Sequence, residues 1–478
     1  PLFIGEIRRV SNKIIGPLAI RSSSLTEDSL DKPFAGLFAT KMIPNNDPDP
    51  NIRFLQLIEA VKFVYSSTWF SSSRDSFKAA GIDLINEKMA VIIQRVHGKK
   101  HGQYFYPSFS GVGRSFNHYP FNACSQENGL VELAAGLGKT IVDGGQKWLY
   151  SPEKPGAPPP ASMKGLLDSG QTKLWTINLI PPEKETPFDE TEFMSRQPLK
   201  RLEEDGQIEN LCSTYSASSD RLEMGYSKNG FKLIDFSPIL KGGLFDFNTC
   251  ISRLMNAFKK RSSSEIEIEF AVNIDMVQKT HADLALLQLR PMKKINSTEM
   301  PSMTDFDKSK IIVSSSNALG NIVIDNIEDF VYIHPSAFSA QKTQQMPMEI
   351  EKINRDIVNK GKSYILSGFG RWGTSDPSLG IPAKWSQISG ARVIIESTLP
   401  DMNPELSQGS HFFHNILNTE TAYLSIEHKD ESKASFIDYE FLENQVIIFK
   451  GIFFTHVALN KGVRVMVDGQ KRKGMILK

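Results

Sequence analysis

A chain of 478 residues, 40% hydrophobic and 23% charged, has the composition of an ordinary globular protein, with room for two to four domains at roughly 100–200 residues each. Its 55 basic and 54 acidic residues leave a formal net charge of +1, which excludes bulk attraction to nucleic acid or to an anionic membrane. Apolar runs such as "MAVIIQ" and "QVIIFKGIFF" fall far short of the ~20 residues a membrane helix needs. Neither nucleic acid nor membrane is therefore expected as a partner.

The three cysteines, Cys124, Cys212 and Cys250, are widely spaced and odd in number, which argues against a disulfide framework or a zinc cluster. With no charged-then-apolar signal at the start, a reducing, cytoplasmic setting is expected. The sequence opens on Pro1, inside what reads as an element, so a longer parent protein is expected.

In chain order, "GPLAIRSSS" reads as a strand running into a polar loop. Phe54, Leu57, Ile58, Val61, Val64 and Tyr65 form the apolar stripe of a helix. "SRDSFKAAGI" predicts a second helix ending at Gly81, and "KMAVIIQRV" a buried, β-branched strand. "NGLVELAAGLGKTIVDGG" predicts a helix or strand broken by glycines. The Pro-rich Ser151–Pro160 stretch marks an exposed loop or lobe boundary, and polar Glu183–Asp205 predicts helices with solvated faces. "EIEIEF" alternates Glu265, Glu267 and Glu269 with Ile266, Ile268 and Phe270, the clearest period-two strand in the chain, and "ADLALLQLRPM" reads as its neighbour. After Lys294 a linker leads to a second α/β region with strands at "DFVYIH" and "KSYILSG" and a helix at "MEIEKINRDIVNKG".

Four segments carry chemistry. "LAIRSSSLTEDSLDKPFAGLFAT" delivers Arg21 into a Ser-rich loop, which puts a cation beside hydroxyl and amide donors and suits phosphate. Gln94, ending the next strand, offers an amide and backbone groups to an adenine edge. Gly136 and Gly138 would let backbone approach a ligand closely, but a P-loop needs a glycine where Leu133 stands. Glu267 and Glu269 share one strand face, either as carboxylates for Mg²⁺ or as a solvated edge, and Gln288 and Arg290 share a face of the next strand.

In this order "AIRSSSLTED", "PFAG", "MAVIIQ", "SGV", "GLGKTIVDG", "EIEF" and "QLRP" resemble the ATP-grasp nucleotide-binding domain of the phosphoenolpyruvate synthase and pyruvate phosphate dikinase family. Each segment alone is weak, and the ordered set is specific. The resemblance implies ATP and Mg²⁺ as cofactors. It implies that Arg21 contacts phosphate and is catalytic together with Arg290. Gln288 and Arg290 would complete the nucleotide site, with Glu269 and, in place of the family's usual aspartate, Glu267 on the metal. The family's glycine-rich element with an ATP-binding lysine has no match before Arg21. Its swivelling histidine domain and its pyruvate barrel have no match later in the chain.

"SGFGRWGTSDPSLGIP" contains a literal GxGxxG at Gly368, Gly370 and Gly373, but Pro377 and Pro382 preclude the helix a dinucleotide site requires. A glycine-rich loop with contacts from Arg371, Trp372 and Asp376 is expected instead. His411 and His414 lie three apart, and no third ligand near them suggests zinc. They either cap and pack a helix, or His411, preceded by Gly409 and Ser410, carries a phosphoryl group.

The expected architecture is α/β (α+β mixed): a two-lobed ATP-grasp-like domain over residues 1–298, incomplete at its N-terminus, followed by a smaller α/β domain over 299–478. The expected function is phosphoryl transfer from ATP through a histidine toward pyruvate, or toward another small acceptor, through domains the chain lacks. A nucleotide-sensing module without turnover is the alternative.

Overall fold

The computed structural model describes residues 2–25, 27, 36, 38–71, 73–74, 77, 85, 87–118, 121–122, 124–159, 163–182, 186–275, 280–292, 307–400, 402, 404, 421–428, 434–469 and 471–478. Most of the helix predicted to end at Gly81, residues 295–306 of the linker predicted after Lys294, and His411 with His414 lie outside the described residues. The chain forms two compact units. One comprises Pro1–Leu30, Phe38–Phe70 and Glu87–Met292; the other comprises Asp31–Leu37, Ser71–Asn86 and Lys293–Lys478.

In the first unit, Leu18–Ser24 is the middle strand of an antiparallel three-stranded sheet, between Thr40–Ile43 and Met89–Arg95. Helix Pro50–Ser66 covers one face of it. The Asp49 side chain caps that helix by accepting the Asn51 N–H, and Pro50 stands in its first turn, where no N–H is needed. Phe54, Leu57, Val61 and Val64 pack there against Leu18, Ile20 and Ile43. Strand alternation then turns Ala19 and Arg21 to the opposite face. Met89–Arg95 is not the fully buried strand its β-branched residues predict: Val91 and Ile93 meet the helix side, while Ile92 on the other face remains 48% exposed. The helix covers only one face.

A five-stranded antiparallel sheet runs in the order Ala282–Met292, Glu265–Ile274, Phe109–Arg114, Leu130–Ala135, Trp148–Tyr150. Ile266, Ile268 and Phe270 enter the core with Ile251 and Met255 of helix Phe247–Ser262, which turns the glutamates to the other face. The glycine-broken segment resolves into the strand Leu130–Ala135, a turn, and the short helix Lys139–Val142. Residues 151–159 hold neither helix nor strand. Among its described residues the Glu183–Asp205 region, predicted helical, contributes the strand Met194–Pro198, paired with Lys173–Asn178, and only the short helix Lys200–Glu204. Burial of Phe193 and Met194 favours the strand there over local helix propensity.

The second unit is built on a mixed sheet whose centre, Asn321–Ile333, Tyr364–Phe369, Ala391–Ser397 and Ala422–Ile426, is parallel. Phe454–Asp468, Lys473–Leu477 and Ile311–Ser315 extend it antiparallel. Helix Met346–Asn359 makes the first parallel crossover and buries Ile350, Ile353 and Ile357. The GxGxxG segment is followed by Arg371–Trp372 paired with Gly380–Ile381, and no helix follows Gly373 directly. Trp372 is buried and donates its backbone N–H to Glu396 at 2.8 Å. Gly380 has φ +153°, and a Cβ there would sit 2.1 Å from the Arg371 carbonyl oxygen. The glycine serves chain crossing.

Candidate functional site

Arg21 lies directly opposite Ile92 and diagonally across from Gln94, and its Nη1 donates to Gln94 Oε1 at 3.5 Å. Its Nη2 reaches over to the five-stranded sheet, where it donates to Gln288 Oε1 and lies 3.4 Å from Glu269 Oε2. Glu269 and Gln288 are direct cross-strand partners, so register alone sets them side by side. Arg290 Nη2 donates to the same Gln288 oxygen at 2.8 Å and stands 3.5 Å from Glu269 Oε1. Arg21, Gln94, Glu269, Gln288 and Arg290 thus form one cluster: two guanidiniums share a glutamine oxygen and flank one carboxylate. Two cations held this close to each other favour an anionic visitor.

Glu267 lies on the same face, one row along. It is directly opposite Arg114 on one side and Arg290 on the other. Arg114 Nε donates to Glu267 at 2.7 Å and Arg114 Nη1 to Glu132 at 2.8 Å, while Lys147 Nζ meets Glu132 at 2.8 Å. All four side chains are buried. Burial opposes charging Arg114, but the Glu267 and Glu132 carboxylates outweigh it and raise its pKa. Burial would raise Glu132, yet Lys147 and Arg114 hold it below its usual value. These alternating charges tile the sheet away from the Arg21 end.

Next to the cluster lies a cleft of about 440 Å³ lined by Gln94–Lys99, Asn273, Asp283 and Ala285–Leu287. Gln94 belongs to both: its Oε1 accepts from Arg21 and its Nε2 donates to the Leu287 carbonyl at 3.3 Å. On the cleft wall, His97 Nε2 lies 3.1 Å from the Asp283 carboxylate and 3.0 Å from the Asn273 amide. Val96, Ala285, Leu286 and Leu287 add apolar lining beside those polar groups.

The glycines predicted to approach a ligand have other neighbours. Gly136 has φ +80°, and a Cβ there would lie 2.9 Å from the Trp175 carbonyl oxygen, so packing on Lys173–Asn178 already demands glycine. Gly138 lies over Ser110, with Ile141 packed on Val112 and Ala134 on the glutamate-bearing face. Lys139 pairs with Asp143 at 3.1 Å and Glu190 at 3.3 Å; burial would lower its pKa, but the two carboxylates raise it. Ser22 belongs to the strand Leu18–Ser24 and not to the loop predicted for it, and its Oγ donates to Glu27 at 2.7 Å.

Among the described residues, no group of three or more His, Cys, Asp or Glu side chains is placed to hold a metal ion. Glu269 fits a cation that takes its remaining ligands from phosphate and water, as Mg²⁺ does. Glu267 is engaged by Arg114. Sequence reading did not single out Arg114, Glu132 or Lys147. Period-two alternation could have assigned Arg114 and Glu132 to a face, but partnering them requires knowing which strands pair.

The family described as pyruvate phosphate dikinase, AMP/ATP-binding domain, matches residues 4–310, well over half of the chain. No curated protein matches it. With the ordered motifs, the mixed α/β fold of ATP-grasp type and this match in agreement, the chain belongs to the pyruvate phosphate dikinase AMP/ATP-binding domain family, and residues 4–310 are its nucleotide-binding region.

Proposed function

We propose that the first unit binds Mg·ATP, with phosphates at the Arg21 cluster and the base in the adjoining cleft. The bound ATP then serves phosphoryl transfer through a histidine toward pyruvate or another small acceptor. The observation that carries this reading is the convergence of Arg21 and Arg290 on Gln288 and Glu269 from two different sheets. A polyphosphate entering there would draw both guanidiniums onto its oxygens and release the Glu269 carboxylate for Mg²⁺. The metal, when bound, would neutralise phosphate charge. Arg21 and Arg290 would then stabilise charge on the transferring group, Gln288 would hold their spacing, and Gln94 would join the phosphate end to the base end. Transfer chemistry of this kind depends mostly on such positioning.

The proposed carrier is His411, on the strength of its Gly409–Ser410 setting in the sequence. With ATP labelled on the β-phosphate, acid-labile and base-stable label should appear on the protein, vanish in His411→Ala and persist in His414→Ala. Incubation with ATP, Mg²⁺ and pyruvate, followed by assay for AMP, tests turnover. ATP binding without label or AMP would favour the sensing module, a reading that draws support from the engagement of Glu267 by Arg114. Failure to bind ATP in calorimetry would end both readings.

A further inference from the structure

We propose that this site takes a single divalent cation, held by Glu269 as its one protein carboxylate, and that buried Arg114 stands in for a second cation by neutralising Glu267. This rests on the nucleotide-binding reading above. Two glutamates two residues apart on one strand face look equivalent in sequence, and their surroundings make them unequal. Glu267 is 3% exposed and bonded to Arg114 Nε at 2.7 Å. The pair is set by strand register, since the two residues are directly opposite each other. The same guanidinium also serves Glu132, which in turn meets Lys147.

A cation that recruited Glu267 would strip Arg114 of one of its two carboxylates. Arg114 Nη2 is already buried without a hydrogen-bond partner, so the loss would fall on a group with no reserve. Breaking a buried ion pair by removing one partner is strongly destabilising, because the remaining charge has no solvent to turn to. Glu269 differs in contact length and in exposure. Its contacts to Arg21 and Arg290 are long, 3.4 and 3.5 Å, and its side chain is 15% exposed. Both of its partners are the groups that polyphosphate would draw away. The carboxylate freed by nucleotide is therefore Glu269, while Glu267 keeps its arginine.

The test counts Mn²⁺ bound to the full chain by electron paramagnetic resonance, with a non-hydrolysable ATP analogue present. One ion per chain is expected; two would overturn the proposal. Glu269→Gln should lose the ion while still binding metal-free analogue. The paired replacement of Arg114→Met and Glu267→Met removes both charges at similar volume and should keep the ion. A loss of Mn²⁺ affinity of about tenfold or more in that pair, about 1.4 kcal/mol, would make Glu267 a ligand after all. The wild-type count needs no variant to fold. Failure of the analogue to bind, with or without Mn²⁺, would instead overturn the nucleotide reading and this proposal with it.

Discussion

Arg21 and Glu269 stand 248 positions apart in the chain and meet at 3.4 Å. The strand of Arg21 has its other face sealed by a helix, and the strand of Glu269 has its other face sealed by the isoleucine core. Alternation leaves each polar residue only one direction to point, and the two directions converge.

Arg21→Lys is expected to weaken ATP binding tenfold or more, from the ~1.5–3 kcal/mol that a hydrogen bond to a charged group contributes. Lysine keeps the charge but loses the planar fork that reaches Gln94 and Gln288 together. Unchanged affinity in calorimetry would remove Arg21 from the site.

Glu132→Ala should destabilise the first unit by about 3–5 kcal/mol, because it leaves Arg114 and Lys147 buried beside a missing carboxylate. Denaturant unfolding measures this. A loss of under about 1 kcal/mol, the level of an exposed pair, would mean that the network relaxes at little cost.

In the second unit, the Glu349 carboxylate accepts backbone N–H groups from Ile452, Phe453 and Phe454 at 3.1, 3.1 and 2.7 Å, and so fastens a turn to the start of a helix. Glu349→Ala should cost about 1–3 kcal/mol and speed amide exchange at those three residues first. Exchange unchanged at all three would show that the turn holds without the carboxylate.

His101 stacks on Tyr106 with ring centroids 4.4 Å apart, and burial lowers its pKa below 6.5 despite the opposing pull of Asp205. Below about pH 6.5 the unfolded chain takes up a proton that the folded one resists, so stability falls as pH drops through that value toward the folded pKa. His101→Phe should abolish this part of the pH dependence. Parallel losses in both proteins between pH 7.5 and 5.5 would assign it to other groups.

Cys212 is buried, and burial, with Asp235 adding to it, pushes its thiol up to about 12, while Cys250 is exposed. A thiol reagent at pH 8 should therefore modify Cys250 in the folded protein and reach Cys212 only after unfolding. Peptide mapping that finds Cys212 modified first would contradict its burial at the start of the strand Cys212–Ser216.

Residue order alone settles which side-chain types share a face. The Glu-Ile alternation at 265–270 put the carboxylates together, and the order of seven short segments was enough to indicate the family, because that order reflects a whole domain. The same alternation could not separate Glu267 from Glu269. Periodicity assigns a side chain to a face, whereas its partner depends on which strand lies alongside and in what register. The pairing of Phe109–Arg114 with Glu265–Ile274, contacts across 153 positions, gave Glu267 its arginine. For the same reason Met89–Arg95 looked buried from its residues, and only the single helix packed on one face left Ile92 and Gln94 on the side of the cluster. Local chemistry sets which face is polar; long-range packing decides which charge is spent on structure and which is left for a ligand.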